Sequence, residues 1–390
     1  MQSRSEARMT RRDFIGTAAL AAGGALVGQA AEPAAAKFYR GALLHLGSNM
    51  WGDFPGDPDA LAKSPEEEAK NPVPIDATGK PTNYRNYLKC RDDLWRKSID
   101  HMAEKKMNLV FIDLGEGIAY PSHPELAVTG TWSVEKTRRE LARIRALGME
   151  PIPKLNFSTC HDSWLKNYHR MVSTSTYYKV VADVIADTCE IFDKPSMFHI
   201  GFDEEVPVAG KGLFCAVFRQ GELWWHDLFY TIRQVERNGA RAVMWSDKIC
   251  DGREAFLKRM TKDVLLSPWY YGKNFSAEKL KWDASYEKKT GTWEVQRNLT
   301  ASLPVLDAAG YDLLPCTSNW SCDEASEAFV AYCRNHLDQR RLKGIYTAPW
   351  KFTIPDDPEN KEVRRRKNIS KTLEGIDLFA AAMDRHYPQA

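Results

Sequence analysis

The chain has 390 residues, 43% hydrophobic and 27% charged, which is enough to close a sizeable core without crosslinks. Its 54 basic and 52 acidic side chains leave a formal charge of +2, so nothing in the electrostatics argues for a nucleic-acid partner. Eight cysteines (Cys90, Cys160, Cys189, Cys215, Cys250, Cys316, Cys322, Cys333) form no Cys-x-x-Cys pair, which excludes a zinc ribbon or redox motif and leaves buried thiols and late-formed pairs both open.

The first stretch with a reading of its own is Thr10-Arg11-Arg12-Asp13-Phe14-Ile15, followed by a mild apolar run from Gly16 to Gly28 and by Gln29-Ala30-Ala31-Glu32. Paired arginines, a weakly hydrophobic core and small residues at a cut near Ala30 read as a twin-arginine signal with a short linker, residues 1–36. The run is shorter than the ~20 residues that span a bilayer. The expectation is a body of residues 37–390 that the twin-arginine export machinery delivers to the periplasm or the outside, with no membrane anchor.

From there an apolar, β-rich run followed by a helical segment recurs eight times. The strands are expected at Gly41–Gly47, Asn108–Asp113, Glu150–Leu155, Ser196–Phe202, Arg241–Trp245, Val264–Pro268, Tyr311–Cys316 and Lys343–Thr347. The helices are expected at Asp92–Lys105, Val134–Leu147, Thr176–Phe192, Phe218–Asn238, Arg253–Lys262, Leu299–Ala309, Asp323–Leu337 and Lys361–Met383. Parallel strands need crossovers, and eight such units close into a packed cylinder, so the fold class is α/β, a single (β/α)8 TIM barrel. Two connections, Asp53 to Tyr87 and Tyr270 to Gln296, are long; they follow the first and sixth strands and read as walls of the active-site face.

The fourth strand ends in Ser196-Met197-Phe198-His199-Ile200-Gly201-Phe202-Asp203-Glu204-Glu205, an apolar run that passes into three consecutive carboxylates. Packing gives no reason for such an arrangement. Alternation along the strand puts His199, Gly201 and Asp203 on one face and Ile200 and Phe202 on the other, with Glu204 turned back over the same mouth. Side chains at the other strand ends join them: Asn156, Trp245, Asp247, Trp269, Tyr270, Tyr271, Asn319, Trp320 and Trp350, beside Ser48, Asn49, Trp51, Asp113, Glu116 and Lys154. Indole walls between acids and amides suit a sugar ring, whose C–H faces stack while its hydroxyls are hydrogen-bonded.

His199-Ile200-Gly201-Phe202-Asp203-Glu204 resembles the His-x-Gly-Gly-Asp-Glu motif of glycoside hydrolase family 20, the β-N-acetylhexosaminidases, which ends the fourth strand of their barrel. Met244-Trp245-Ser246-Asp247 is similar to the Trp-plus-acid segment that follows in that family. The resemblance implies a retaining hydrolysis assisted by the substrate's own 2-acetamido group, with no cofactor and no metal. In that scheme Glu204 is acid and then base, Asp203 holds the acetamide, and Tyr270 or Tyr271 supports its carbonyl. Trp245, Trp269 and Trp320 would enclose the group, and His199 would support the acids from below. Three departures stand out: Phe202 replaces the second glycine, Gly47-Ser48-Asn49-Met50-Trp51 carries no arginine, and Trp350-Lys351 has no acid after the tryptophan.

The residues also allow other chemistry. A two-carboxylate glycosidase would use Glu204 as acid with Asp247, Asp113 or Glu116 opposite. A metal-dependent sugar isomerase or epimerase would bind a cation through Asp203, Glu205, Asp247 and His199. A barrel that only binds sugar would use the same walls without turnover.

Overall fold

The computed structural model describes residues 37–57, 61–71, 73–289, 291–350 and 372–388; the twin-arginine segment and the first part of the helix expected at Lys361–Met383 lie outside them. Among the described residues eight strands are present: β1 Tyr39–His45, β2 Leu109–Asp113, β3 Glu150–Lys154, β4 Met197–His199, β5 Arg241–Trp245, β6 Leu265–Ser267, β7 Cys316–Thr317 and β8 Gly344–Thr347. They run in the order β6-β5-β4-β3-β2-β1-β8-β7, every ladder parallel. Parallel bridges Leu266↔Leu313 and Trp269↔Cys316 join β6 to the β7 segment, so the sheet closes into the expected (β/α)8 barrel.

A helix follows each strand: α1 Asp92–Glu104, α2 Val134–Ala146, α3 Ser175–Ile191, α4 Gly221–Arg237, α5 Arg253–Arg259, α6 Leu299–Ala308, α7 Ala325–His336 and α8 Thr372–His386. Local chemistry fixes their ends. Ser133 caps α2 by accepting the Lys136 N–H, and Thr174 caps α3 by accepting the Tyr177 N–H. In α1, Trp95, Ile99 and Met102 recur at helical spacing and form the buried stripe.

Side chains facing into the cylinder (Leu43, Leu109, Phe111, Ile152, Met197, Val243, Leu265, Leu314, Tyr346) form an inner core, separate from the larger layer between sheet and helices. One register row, His45↔Asp113↔Lys154↔His199, caps that inner core with polar groups at the C-terminal strand ends. The ladder between β3 and β4 is reduced to the pair Lys154↔His199. Its cause is in the sequence. The Glu150 N–H faces β2, so Pro151 and Pro153 occupy the positions whose N–H groups would face β4.

The connections following β1 and β6 are long, as the sequence suggests. The β3–α3 and β4–α4 connections add two further walls on the same face. Among the described residues no helix is long and apolar enough to cross a membrane. The eight cysteines are free thiols, and Cys90, Cys160, Cys189, Cys250, Cys316 and Cys333 are buried.

Candidate active site

The acids sit on an irregular turn rather than on the strand itself. Strand hydrogen bonding continues a little past His199, with Ile200 N–H to Val243 at 2.8 Å and Trp245 N–H to Gly201 at 3.1 Å. The backbone then turns through Gly201 (φ +73°), Phe202 (φ +68°) and Glu204 (φ +52°), all in the left-handed region. Gly201 has a second reason to be glycine: a Cβ there would fall 2.0 Å from Asn156 Oδ1. Ile200 and Phe202 pack in the helix layer, Phe202 edge-on to Trp224 at 5.8 Å, and this leaves Asp203 and Glu204 at the mouth.

The β3–α3 loop holds Asp203 in place. Asn156 Nδ2 donates to Asp203 Oδ1 at 2.8 Å, and Ser158 Oγ donates to the Asp203 carbonyl at 2.5 Å. The same loop brings His161, whose Nε2 lies 3.7 Å from Asp203 Oδ2 and 3.4 Å from Glu204 Oε2. Gln296, from the β6–α6 connection, donates to Glu204 Oε1 at 3.0 Å, and Asp247 Oδ2 accepts the Glu204 N–H at 2.9 Å. Sequence reasoning passed over His161 and Gln296. His161 stands only five residues beyond Asn156, but nothing local says that its ring reaches a strand further on.

One imidazole thus serves two carboxylates, and the titration behaviour follows. Burial opposes the charged form of His161, but the negative charge of Asp203 and the bond to Glu204 outweigh it and carry the ring up to about 9. Burial pushes the Glu204 carboxyl up, but the hydrogen bond and positive charge of His161 together with the hydrogen bond from Gln296 outweigh it, so its net shift is downward. Asp247 goes the other way. Burial and then the nearby Asp203 charge hold it well above the usual carboxylate range, with its Oδ1 buried and lacking a donor.

The walls are aromatic. His199 is fully buried beneath the turn, 4.7 Å from the Trp245 ring and 5.5 Å from Phe111, with Nδ1 accepting the Gly201 N–H. Trp350 lies 5.9 Å from both Trp245 and Tyr271, and Tyr271 stacks on Trp269 at 5.0 Å. Burial is the chief cause holding Tyr271 well above its ordinary pKa; Glu204 and Asp203 contribute, so the phenol remains a donor. The cup is therefore Trp245, Trp269, Tyr271 and Trp350 over His199.

Other residues singled out from the sequence are placed elsewhere. Tyr270 turns into the helix layer against Phe275. Asn319 is buried behind the mouth, close enough to Gly375 of α8 that a Cβ there would come within 2.7 Å of its Oδ1; Trp320 follows it, half-buried. Glu205 points inward to a buried ion pair with Arg219 and accepts the Thr159 N–H at 2.9 Å. Asp113 is paired with Lys154, and Glu116 accepts the Ser48 and Asn49 N–H groups at 2.8 and 3.1 Å.

A cleft of about 140 Å³ opens beside the acids, lined by Trp51, Asp53, Asp76, Asn83, His161 and Leu213 among others. His161 belongs to both the cleft and the acid pair. Its imidazole with the Asp203 and Glu204 carboxylates presents three donor atoms within 4.8 Å of one another, a set that could also hold a divalent cation. The set of Asp203, Glu205, Asp247 and His199 does not converge in this way, because Glu205 is committed to Arg219 and His199 lies below the turn.

No protein-family model matches the chain, and no curated protein matches it in sequence. Solved structures do match its fold. A β-N-acetylhexosaminidase of Bacteroides fragilis aligns with TM-score 0.49 and 14% identity over 74% of this chain and 62% of that one. The chitobiase of Flavobacterium johnsoniae aligns with TM-score 0.49 and 16% identity over 76% of this chain and 48% of its own. A Streptomyces plicatus β-hexosaminidase in complex with the product GlcNAc gives TM-score 0.49 and 13% identity over 76% and 65%. The chain thus spans 62% and 48% of the first two proteins' length.

Proposed function

We propose that the protein is an exported glycoside hydrolase that removes a terminal β-linked N-acetylhexosamine, or a closely related sugar, by substrate-assisted retention. The observation that carries the reading is the pair Asp203 and Glu204, adjacent at the mouth of the barrel, bridged by His161 and faced by an aromatic cup. The twin-arginine stretch supports export to the periplasm or beyond.

The chemistry follows from what each group can give. The acetamide carbonyl oxygen attacks the anomeric carbon as the glycosidic C–O bond breaks, and Glu204 delivers a proton to the departing oxygen. In the free protein that proton rests on His161, 3.4 Å from Glu204, since the imidazole is shifted up and the carboxyl down. Asp203 accepts the acetamide N–H and steadies the positive charge of the cyclic oxazolinium, and the Tyr271 hydroxyl donates to the acetamide oxygen. Glu204 then takes a proton from water as that water opens the ring. Asp247 is poorly suited to be a second nucleophile, since its Oδ2 is occupied by the Glu204 N–H, its Oδ1 is buried and its pKa is held high.

The test is hydrolysis of paired aryl β-glycosides that differ only in carrying a 2-acetamido or a 2-hydroxyl group. The reading predicts turnover of the first alone and its collapse in Glu204→Gln. Equal turnover of both sugars would transfer the function to a two-carboxylate scheme, and loss of activity on chelation would favour a cation held by His161, Asp203 and Glu204.

A further inference from the structure

The turn that carries the acids is held in a conformation its sequence does not favour. Phe202 and Glu204 are non-glycine residues in the left-handed region, flanking Asp203, and Phe202 stands where the resembled motif has glycine. A side chain at such a φ is strained, so something must pull the turn back from relaxing.

We propose that Arg219 is the positioning residue that keeps Asp203 and Glu204 in register, by gripping the turn at Phe202 and Glu205, one on each side of the acids. Its guanidinium lies 4.6 Å over the Phe202 ring. Nε donates to both Glu205 oxygens at 3.0 and 3.2 Å, and Nη2 donates to the Phe157 carbonyl at 2.8 Å. The latter contact ties in the β3–α3 loop that bears Asn156, Ser158 and His161. Asp227 of α4 receives Nη1 at 3.4 Å, and the guanidinium is fully buried. One cation thus joins the acid turn, the His161 loop and a helix without touching the mouth. Phe202, which gives the turn its strain, is also the handle by which Arg219 holds it.

This inference rests on the hydrolase reading for its kinetic arm and on the fold alone for its spectroscopic arm. Phe202→Ala and Phe202→Gly remove the same ring contacts, but only glycine takes a positive φ freely. We expect kcat on the 2-acetamido aryl glycoside to fall about tenfold in Phe202→Ala and at most about threefold in Phe202→Gly, with KM near the parent value in both. Arg219→Lys keeps a charge for Glu205 but loses the planar face and the fork; it should lower kcat about tenfold alone and about twofold when combined with Phe202→Gly. The histidine NMR signal lost in His161→Gln should titrate high in the parent and in Phe202→Gly, and nearer its ordinary value in Phe202→Ala. Equal effects of alanine and glycine at 202 on kcat and on that signal, or equal losses from Arg219→Lys in both backgrounds, would overturn the proposal. A parent inactive on the glycoside would instead sink the hydrolase reading, and the titration would still decide the role of the turn.

Discussion

Two groups of carboxylates stand at the same end of this barrel and are held in opposite ways. Asp113, Glu116 and Glu205 each have dedicated partners: Lys154 for the first, two backbone N–H groups for the second, Arg219 for the third. Asp203 and Glu204 share one imidazole, supplemented by the Asn156 and Gln296 amides, while Asp247 accepts the Glu204 N–H. Strand-end position alone therefore does not mark a reactive group. What separates the two sets is the kind of partner: each acid of the first is committed to a fixed cation or backbone group inside the fold, whereas Asp203 and Glu204 meet at a titratable imidazole at the mouth.

The contrast can be broken in both directions. The largest effect is expected from Glu204→Gln, which removes the carboxylate that carries the proton to the leaving oxygen and should lower kcat by about 10²–10⁴ while leaving the melting temperature near that of the parent. A comparable loss of stability would place Glu204 in the architectural set. Lys154→Met does the reverse. It strands Asp113 in the barrel interior, and removing one partner of a buried pair typically costs ~3–5 kcal/mol in denaturant unfolding. Adding Asp113→Asn should return much of that stability, and if it returns none the pair is not the unit that matters.

A smaller and more specific effect concerns His161. Its folded pKa, about 9, lies above the ordinary 6.5, so its contribution to stability is complete below about 6.5 and is lost as the pH rises through about 9. The parent should therefore lose on the order of 2–3 kcal/mol between neutral pH and about pH 10. His161→Gln should flatten that slope, and an unchanged slope would assign the titration to another group.

Much of this organisation is visible in the sequence because it is written in local pattern. The eight apolar runs specify strands by composition, and Ser196 to Glu205 advertises its acids by breaking that composition abruptly. The inward and outward sorting of His199, Ile200 and Phe202 follows from alternation even though the strand ends at His199. What local pattern cannot carry is a partner supplied from elsewhere. Arg219 lies fourteen positions beyond Glu205, and Gln296 ninety-two beyond Glu204, and neither has a distinctive neighbourhood. Asn319 and Tyr270 illustrate the converse. Both occupy loops at the right end of the barrel, but a one-residue difference in facing sends Tyr271 to the cup and Tyr270 to the helices.

The central claim is that Asp203 and Glu204 face a bound 2-acetamido sugar and act on it as it closes on itself. Calorimetric titration of a thiazoline mimic of the cyclic intermediate into the parent and into Asp203→Asn tests it most directly. The account predicts tight binding to the parent, stronger than that of the matching free sugar by at least about a hundredfold, and most of that advantage lost in the variant. Binding no tighter than the free sugar, or equally tight to both proteins, would contradict it.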